Sequence, residues 1–189
     1  MWLFLITEVL LFSGMFVAYA VYRFWHPEAF LEASQHLDVW LGALNTVFLL
    51  TSSLTFALGI RCAQVDDQKG LVLNLLLTLA LAGGFMVVKY FEYTHKWHLG
   101  IYPGPGYTYD ETAYAPIFFG IYFVMTGIHG VHVLVGMGII AWLVIRARKG
   151  HFHSAYYTPV ELTGLYWHLV DIIWIFLFPL LYLLGRNSV

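Results

Sequence analysis

Five ionisable side chains stand deep inside apolar stretches of this sequence, where a charge is costly: Glu8, the pair His129 and His132, and the pair His168 and Asp171. Residues three apart on a helix share a face, so each pair presents two polar groups in one direction. An ionisable group in a membrane helix ordinarily faces the interior of the bundle and carries a partner. Two chemistries fit such a set. The imidazoles and carboxylates could hold a metal, or a histidine pair could clamp haem. Alternatively, they are interhelical hydrogen-bond partners, a common use of polar residues in membrane bundles.

The ligand reading is the weaker. The two Glu-x-x-His motifs of a di-iron bundle are not present, Glu92-Tyr93-Thr94-His95 standing alone, and a bis-histidine haem requires two facing histidines at one depth. His168 lies near the inner end of its segment and His129 nearer the middle of its own, so no such pair is evident. The sequence also lacks a Ser-His-Asp motif, a phosphate-binding glycine loop and a Walker motif. We therefore assign no catalytic, metal or cofactor-binding residue, and read His129, His132, His168 and Asp171 as polar packing groups. Glu8 is set among Leu5, Val9 and Phe12, roughly 10 Å from the inner end of its helix. It is read either as a proton-linked carboxyl or as a hydrogen-bonding group that ties its helix to a neighbour. Glu8, His168 and Asp171 lie at comparable depth, so they are expected to share an inner-leaflet polar cluster.

The elements that must position these groups follow from hydropathy. Of 189 residues, 60% are hydrophobic and 11% charged, against about a quarter charged in a soluble domain. Five apolar segments, Trp2–Tyr22, Val39–Ile60, Leu71–Phe91, Ile117–Ile145 and Leu165–Leu184, are each long enough to cross a hydrocarbon core of about 30 Å. Helices satisfy their own backbones, as lipid requires. The expected fold is all-α, a single membrane domain over residues 1–189 built from five transmembrane helices. The fourth segment, at about 29 residues and 43 Å, must tilt or emerge from the bilayer.

The connection Tyr93–Ala115 contains Pro103, Gly104, Pro105 and Gly106 and reads as an outer loop. Lys89, Glu92, His95 and Lys96, near the end of the third segment, read as a solvated interfacial cluster. Gly83, Gly84, Gly127, Gly130, Gly136 and Gly138 suggest close helix packing, and Trp2, Trp40, Trp97 and Trp167 an aromatic belt.

Arg61, Lys69, Arg146, Arg148 and Lys149 fall on one side, against Arg23, Lys89, Lys96 and Arg186 on the other. This bias favours a cytoplasmic N-terminus and an outside C-terminus. Ala18-Tyr19-Ala20 imitates a signal-peptide cleavage site, but no Lys or Arg precedes Arg23 and Glu8 interrupts the apolar run, so the first segment is expected to be a retained span. A net charge of −2 offers no stripe for nucleic acid. The single cysteine, Cys62, excludes an internal disulfide.

Two stretches bring these elements under a family. Phe123-Val124-Met125-Thr126-Gly127-Ile128-His129-Gly130-Val131-His132-Val133 resembles a signature of haem-copper oxidase subunit III. Tyr166-Trp167-His168-Leu169-Val170-Asp171-Ile172-Ile173-Trp174-Ile175-Phe176-Leu177 resembles that family's last span. Thr7-Glu8-Val9-Leu10-Leu11-Phe12, Leu44-Asn45-Thr46 and Phe91-Glu92-Tyr93 are similar to three further family segments. The resemblance covers essentially the whole chain. Longer members carry two additional N-terminal helices, so the likeness is to the short, five-helix bacterial form.

The resemblance implies a non-redox accessory subunit of a proton-translocating cytochrome c oxidase in a prokaryotic cell membrane. Such a subunit packs on subunit I, with subunit II in the same complex, binds phospholipid and supports proton uptake and stability; haem and copper belong to partner subunits. It also implies that Glu8 corresponds to the buried carboxylate associated with proton uptake. The donor to the complex is cytochrome c or quinol. A quinol oxidase or nitric oxide reductase relative is the near alternative, and a small proton channel or transporter using Glu8, His168 and Asp171 as a relay is the alternative of another class.

Overall fold

The structure, a computed structural model, describes residues 1–35, 37–101 and 115–183. Its elements in chain order are α1 (Trp2–Trp25), α2 (Pro27–Gln35), α3 (Val39–Gln64), α4 (Gln68–His98), α5 (Ala115–Arg148) and α6 (Thr158–Phe178), followed by a π-helical turn at Pro179–Leu183. Among the described residues five helices are long and apolar enough to cross a membrane, as the hydropathy requires, and the chain is an all-α, multi-pass membrane protein. Between α5 and α6 an isolated bridge pairs His153 with Tyr156.

The helices outrun the apolar segments that announce them. Hydropathy marks where lipid is met, whereas the backbone ladder continues until something breaks it. For α4 the break is Gly100, at φ 72°, where Ile101 N–H donates back to Lys96 C=O at 3.1 Å. The helix thus extends through His98 and absorbs the start of the expected outer loop; residues 102–114 lie outside the described part. α5 ends likewise at Gly150, φ 71°, with His151 N–H on Arg146 C=O at 3.3 Å. At 31 and 34 residues, α4 and α5 are about 46 and 51 Å long, well beyond a 30 Å core. Pro179 has no N–H to give, and the regular ladder of α6 yields there to the wider π turn.

α2 is an element that hydropathy alone did not mark. Pro27 opens it with the fixed φ that suits a first helical position, and it is too short and polar to span a bilayer. The starts of α3 and α4 are capped by carboxylates. Asp38 Oδ1 accepts from Trp40 N–H at 2.9 Å, and Asp67 Oδ1 from Gly70 N–H at 3.0 Å.

The chain divides into two compact units: Met1–Leu44 with Val88–His129 and Ile173–Val189, and Asn45–Val87 with Gly130–Ile172. In the first, Phe30 packs edge-on against Tyr19 (5.4 Å between centroids) and Phe118 (5.3 Å). There Tyr19 Oη also donates to Leu180 C=O at 2.7 Å, tying α1 to the π turn. In the second, Trp167 is fully buried and donates from Nε1 to Ser52 Oγ at 3.1 Å, while Thr55 and Thr78 share a hydroxyl bond of 2.8 Å between α3 and α4.

Two sequence expectations change here. Trp167 is a core residue, whereas Trp2, Trp40 and Trp97 are exposed; its indole N–H has a buried acceptor, so the ring needs no interface. Among the glycines named for close packing, Gly136 has no room for a Cβ, which would lie 2.7 Å from the Trp167 ring. Gly84 meets Phe48 at an ordinary 3.4 Å, and Gly83, Gly130 and Gly138 face open space.

Candidate functional site

The most concentrated polar chemistry in the first unit is on α4. Lys89, Glu92 and Lys96 are spaced by three and four residues, which keeps all three on one helical face. They are buried, at 7%, 4% and 3% exposure. Lys89 Nζ donates to Glu92 Oε2 at 2.9 Å and Lys96 Nζ to Glu92 Oε1 at 2.9 Å. Two phenols from distant elements complete the carboxylate shell: Tyr122 Oη on α5 donates to Oε1 at 2.8 Å, and Tyr182 Oη in the π turn donates to the same oxygen at 2.7 Å.

The cations are also held by aromatic faces. Lys89 Nζ lies 4.7 Å from the Trp174 ring centroid and Lys96 Nζ 4.7 Å from that of Tyr122. The cluster of three carries a formal charge of +1, and the carboxylate of Asp38, at the start of α3, acts attractively on Lys96. Beside it, Tyr93 and Thr126 join their hydroxyls, and Thr126 Oγ1 donates to Tyr122 C=O at 2.7 Å.

This arrangement replaces the solvated cluster expected from the sequence. The reason is the length of α4, which keeps Glu92 and Lys96 in helical register with Lys89 and turns them toward α5. His95, off that face, is exposed as expected. The sequence did hold the signal, a Lys-x-x-Glu-x-x-x-Lys spacing, but no span-finding rule reads charges as interior. Chemically the cluster is an electrostatic clamp: a buried carboxylate that four donors from α4, α5 and the π turn converge upon, and the one anion of the cluster that balances its two buried ammonium groups.

The family-motif residues are distributed over both units. In the first, Glu8 is half-buried on the face of α1 that carries the buried Leu5 and Phe12. In the same unit His129 is fully buried, its ring 5.2 Å from that of Trp174, the ring over which Lys89 sits. In the second unit, His168 Nδ1 is hydrogen-bonded to Ser53 Oγ of α3, and its ring meets Phe56 edge-on at 6.3 Å. Asp171 is buried with Ser53 as its neighbouring hydroxyl, and neither carboxyl oxygen makes a well-formed hydrogen bond.

Ser53, His168 and Asp171 therefore form one polar group, with a serine the sequence reading had not singled out. Tyr166 Oη donates to His132 C=O at 2.9 Å, so the His132 backbone joins α5 to α6. Asn45, of the Leu44-Asn45-Thr46 motif, is completely buried. Among the described residues, no three His, Cys, Asp or Glu side chains converge as metal ligands would.

Comparison with known proteins places these residues in a family context. The sequence profile of cytochrome c oxidase subunit III matches residues 1–186. The chain is 34% identical over 184 residues to cytochrome c oxidase subunit 3 of Thermostichus vulcanus, covering 97% of this chain and 85% of that one. It is 30% identical over 187 residues to quinol oxidase subunit 3 of Bacillus spizizenii, covering 99% and 86%. It is also 32% identical over 189 residues to the haem-copper oxidase subunit I+III of Aeropyrum pernix, covering 97% of this chain and 22% of that protein.

Proposed function

Because the chain belongs to the cytochrome c oxidase subunit III family, we propose that it is the accessory subunit of a haem-copper terminal oxidase, packed on subunit I beside subunit II. It holds phospholipid and supports proton uptake and the durability of the complex, while haem, copper and the reduction of oxygen belong to the partners. The observation that carries this reading is the match over nearly the whole chain. The fused I+III relative supports the choice of subunit I as main contact, since there the two subunits share one polypeptide.

The uneven burial of the spans agrees with it. In the last span, Thr158–Leu183, 50% of the most apolar stretch is buried by the chain itself, but in α1 only 11%, so α1 offers an apolar surface for a partner or for lipid. Cytochrome c is the proposed donor, following the relative of 34% identity; quinol is the second reading, favoured by the Bacillus relative.

Glu8 is the proposed proton-linked group. It sits on the inward face of a span whose own chain covers it little, so water and a partner can both reach its neighbourhood. His129, His132, His168 and Asp171 are assigned to packing and hydrogen bonding. The proposed orientation, from the weak excess of Lys and Arg on one side, has the N-terminus in the cytoplasm and the C-terminus outside.

The test is purification through a tag on this chain in mild detergent, followed by an optical spectrum and peptide identification. Haem-containing subunit I should accompany the chain one to one, and the haem bands identify the oxidase type. Recovery of the chain with copies of itself alone would overturn the accessory reading in favour of a self-contained channel.

A further inference from the structure

Along the seam between α3 and α6 in the second unit, four buried polar atoms have no well-formed hydrogen bond to a described residue: Oδ1 and Oδ2 of Asp171, and Oδ1 and Nδ2 of Asn45. Asp171 is 2% exposed and Asn45 0%. Burying such groups without a partner is costly, and buried polar atoms nearly always have one, in the protein or in ordered water.

The pairing of the two helices fixes where these side chains stand. Trp167 Nε1 donates to Ser52 Oγ at 3.1 Å, His168 meets Ser53, and a Cβ on Gly164 would lie 2.6 Å from Ile60. Rising numbers on α3 thus meet falling numbers on α6, so the pair is antiparallel. Asp171 lies about 6 Å beyond Trp167 along the axis, and Asn45 about 10 Å before Ser52 in the same direction. Asn45 and Ser52, seven residues apart, share a face of α3; Trp167 and Asp171, four apart, share a face of α6. The backbone positions of Asn45 and Asp171 are therefore offset by only about 4–5 Å along one seam.

The donor set selects the ligand. A hard cation takes about six oxygens, more than one Asp and one Asn supply, and it would face the Nδ2 hydrogens. Among the described residues, no three His, Cys, Asp or Glu converge. Water both donates and accepts, and a molecule bonded on each side bridges about 5 Å.

We propose that the α3–α6 seam is a binding site for ordered water, in which a molecule accepts from Asn45 Nδ2 and donates to the Asp171 carboxyl. The site fills from the side of Ser53 and His168. Both are half-buried, and the Ser53 hydroxyl neighbours Asp171, whereas Leu49, between Asn45 and Ser52 on their face of α3, is 1% exposed and Trp167 0%. The inference rests on the hydrogen-bonding role given to Asp171 and not on which oxidase the chain serves.

The experiment uses the full chain purified with its native partners in mild detergent. A cryo-electron-microscopy map that resolves ordered water elsewhere in the chain should show density about 2.7–3.2 Å from both the Asp171 carboxyl and the Asn45 carboxamide. Pulsed X-ray radiolysis in ¹⁸O-labelled water should place ¹⁸O on Leu49 or Trp167, although both are shielded from solvent. That labelling should be lost in Asp171→Leu and in Asn45→Leu and kept in Asp171→Asn, which retains a side-chain carbonyl.

A direct Asp171–Asn45 bond in the map, density ringed by about six oxygens as a cation requires, parent protein without the internal label, or a label unchanged in both Leu variants would overturn the proposal. If the Leu variants fail to assemble, the map and the labelling of the parent decide. A direct bond refutes the water site and keeps the hydrogen-bonding role of Asp171, whereas an Asp171→Leu chain that loses neither label nor thermal stability refutes both.

Discussion

Changing Glu92 to Gln keeps the shape of the side chain while removing the only carboxylate between Lys89 and Lys96. In the parent, Oε1 accepts from Lys96 at 2.9 Å, Tyr122 at 2.8 Å and Tyr182 at 2.7 Å, and Oε2 accepts from Lys89 at 2.9 Å. An amide presents a single carbonyl oxygen to the first three donors and turns its NH₂, itself a donor, toward an ammonium. The cluster's formal charge rises from +1 to +2 in a site where all three side chains are buried. Breaking a buried ion pair from one side costs about 3–5 kcal/mol, which at about 2–4 °C per kcal/mol for a chain of this size lowers the melting midpoint by roughly 6–20 °C.

Lys89→Met should cost less, because it leaves the neutral pair Glu92–Lys96 with both phenols in place. Replacing Lys89, Glu92 and Lys96 together by Met should recover at least half of the Glu92→Gln loss, since apolar substitution of a whole buried triad is often close to neutral. The assay is thermal loss of helical circular dichroism in the same detergent for the four proteins. A Glu92→Gln variant melting within about 2 °C of the parent, or a triple variant melting below it, would refute the account of the cluster as a charge-balanced clamp.

Gly136→Ala should destabilise by about 1–3 kcal/mol, because the added Cβ meets Trp167 at 2.7 Å, whereas Gly138→Ala, facing open space, should melt with the parent. For Glu8, Gln should assemble normally but slow turnover or pumping at high pH if the carboxyl carries protons. Ala should weaken assembly by about 0.6 and at most about 2 kcal/mol if it only ties helices; normal activity of the Gln complex at every pH would end the proton role.

Outside the spans, Asp66 is held below its usual carboxylate value, first by the Ser154 backbone N–H and then by the Ser154 hydroxyl. Its contribution to fixing the turn before α4 is therefore present above the unfolded-state value and lost as pH falls through the lower folded-state value. The Ser154 amide shift should titrate in that acid window, and Asp66→Asn, which tolerates the φ of 61° at this position, should abolish the titration.

The five spans were legible because a bilayer leaves little choice: about 20 apolar residues without a backbone partner outside must be helical. The family was legible for a related reason, since motifs such as Thr126-Gly127-Ile128-His129-Gly130-Val131-His132 are local in the chain. What the sequence could not decide was which polar and small residues face inward. Lys89, Glu92 and Lys96 read as a solvated end because hydropathy scores each charge by itself. Their burial is decided by Tyr122 and Tyr182, which come from 30 and 90 residues away from Glu92. Likewise Gly136 and Gly138 are two residues apart in one apolar run, and the rings of Trp167 and Tyr166, supplied by α6, make the first a contact and leave the second free. Hydropathy and motif are properties of neighbours along the chain, whereas balanced charge and close packing are properties of neighbours in space, and only the tertiary structure supplies those.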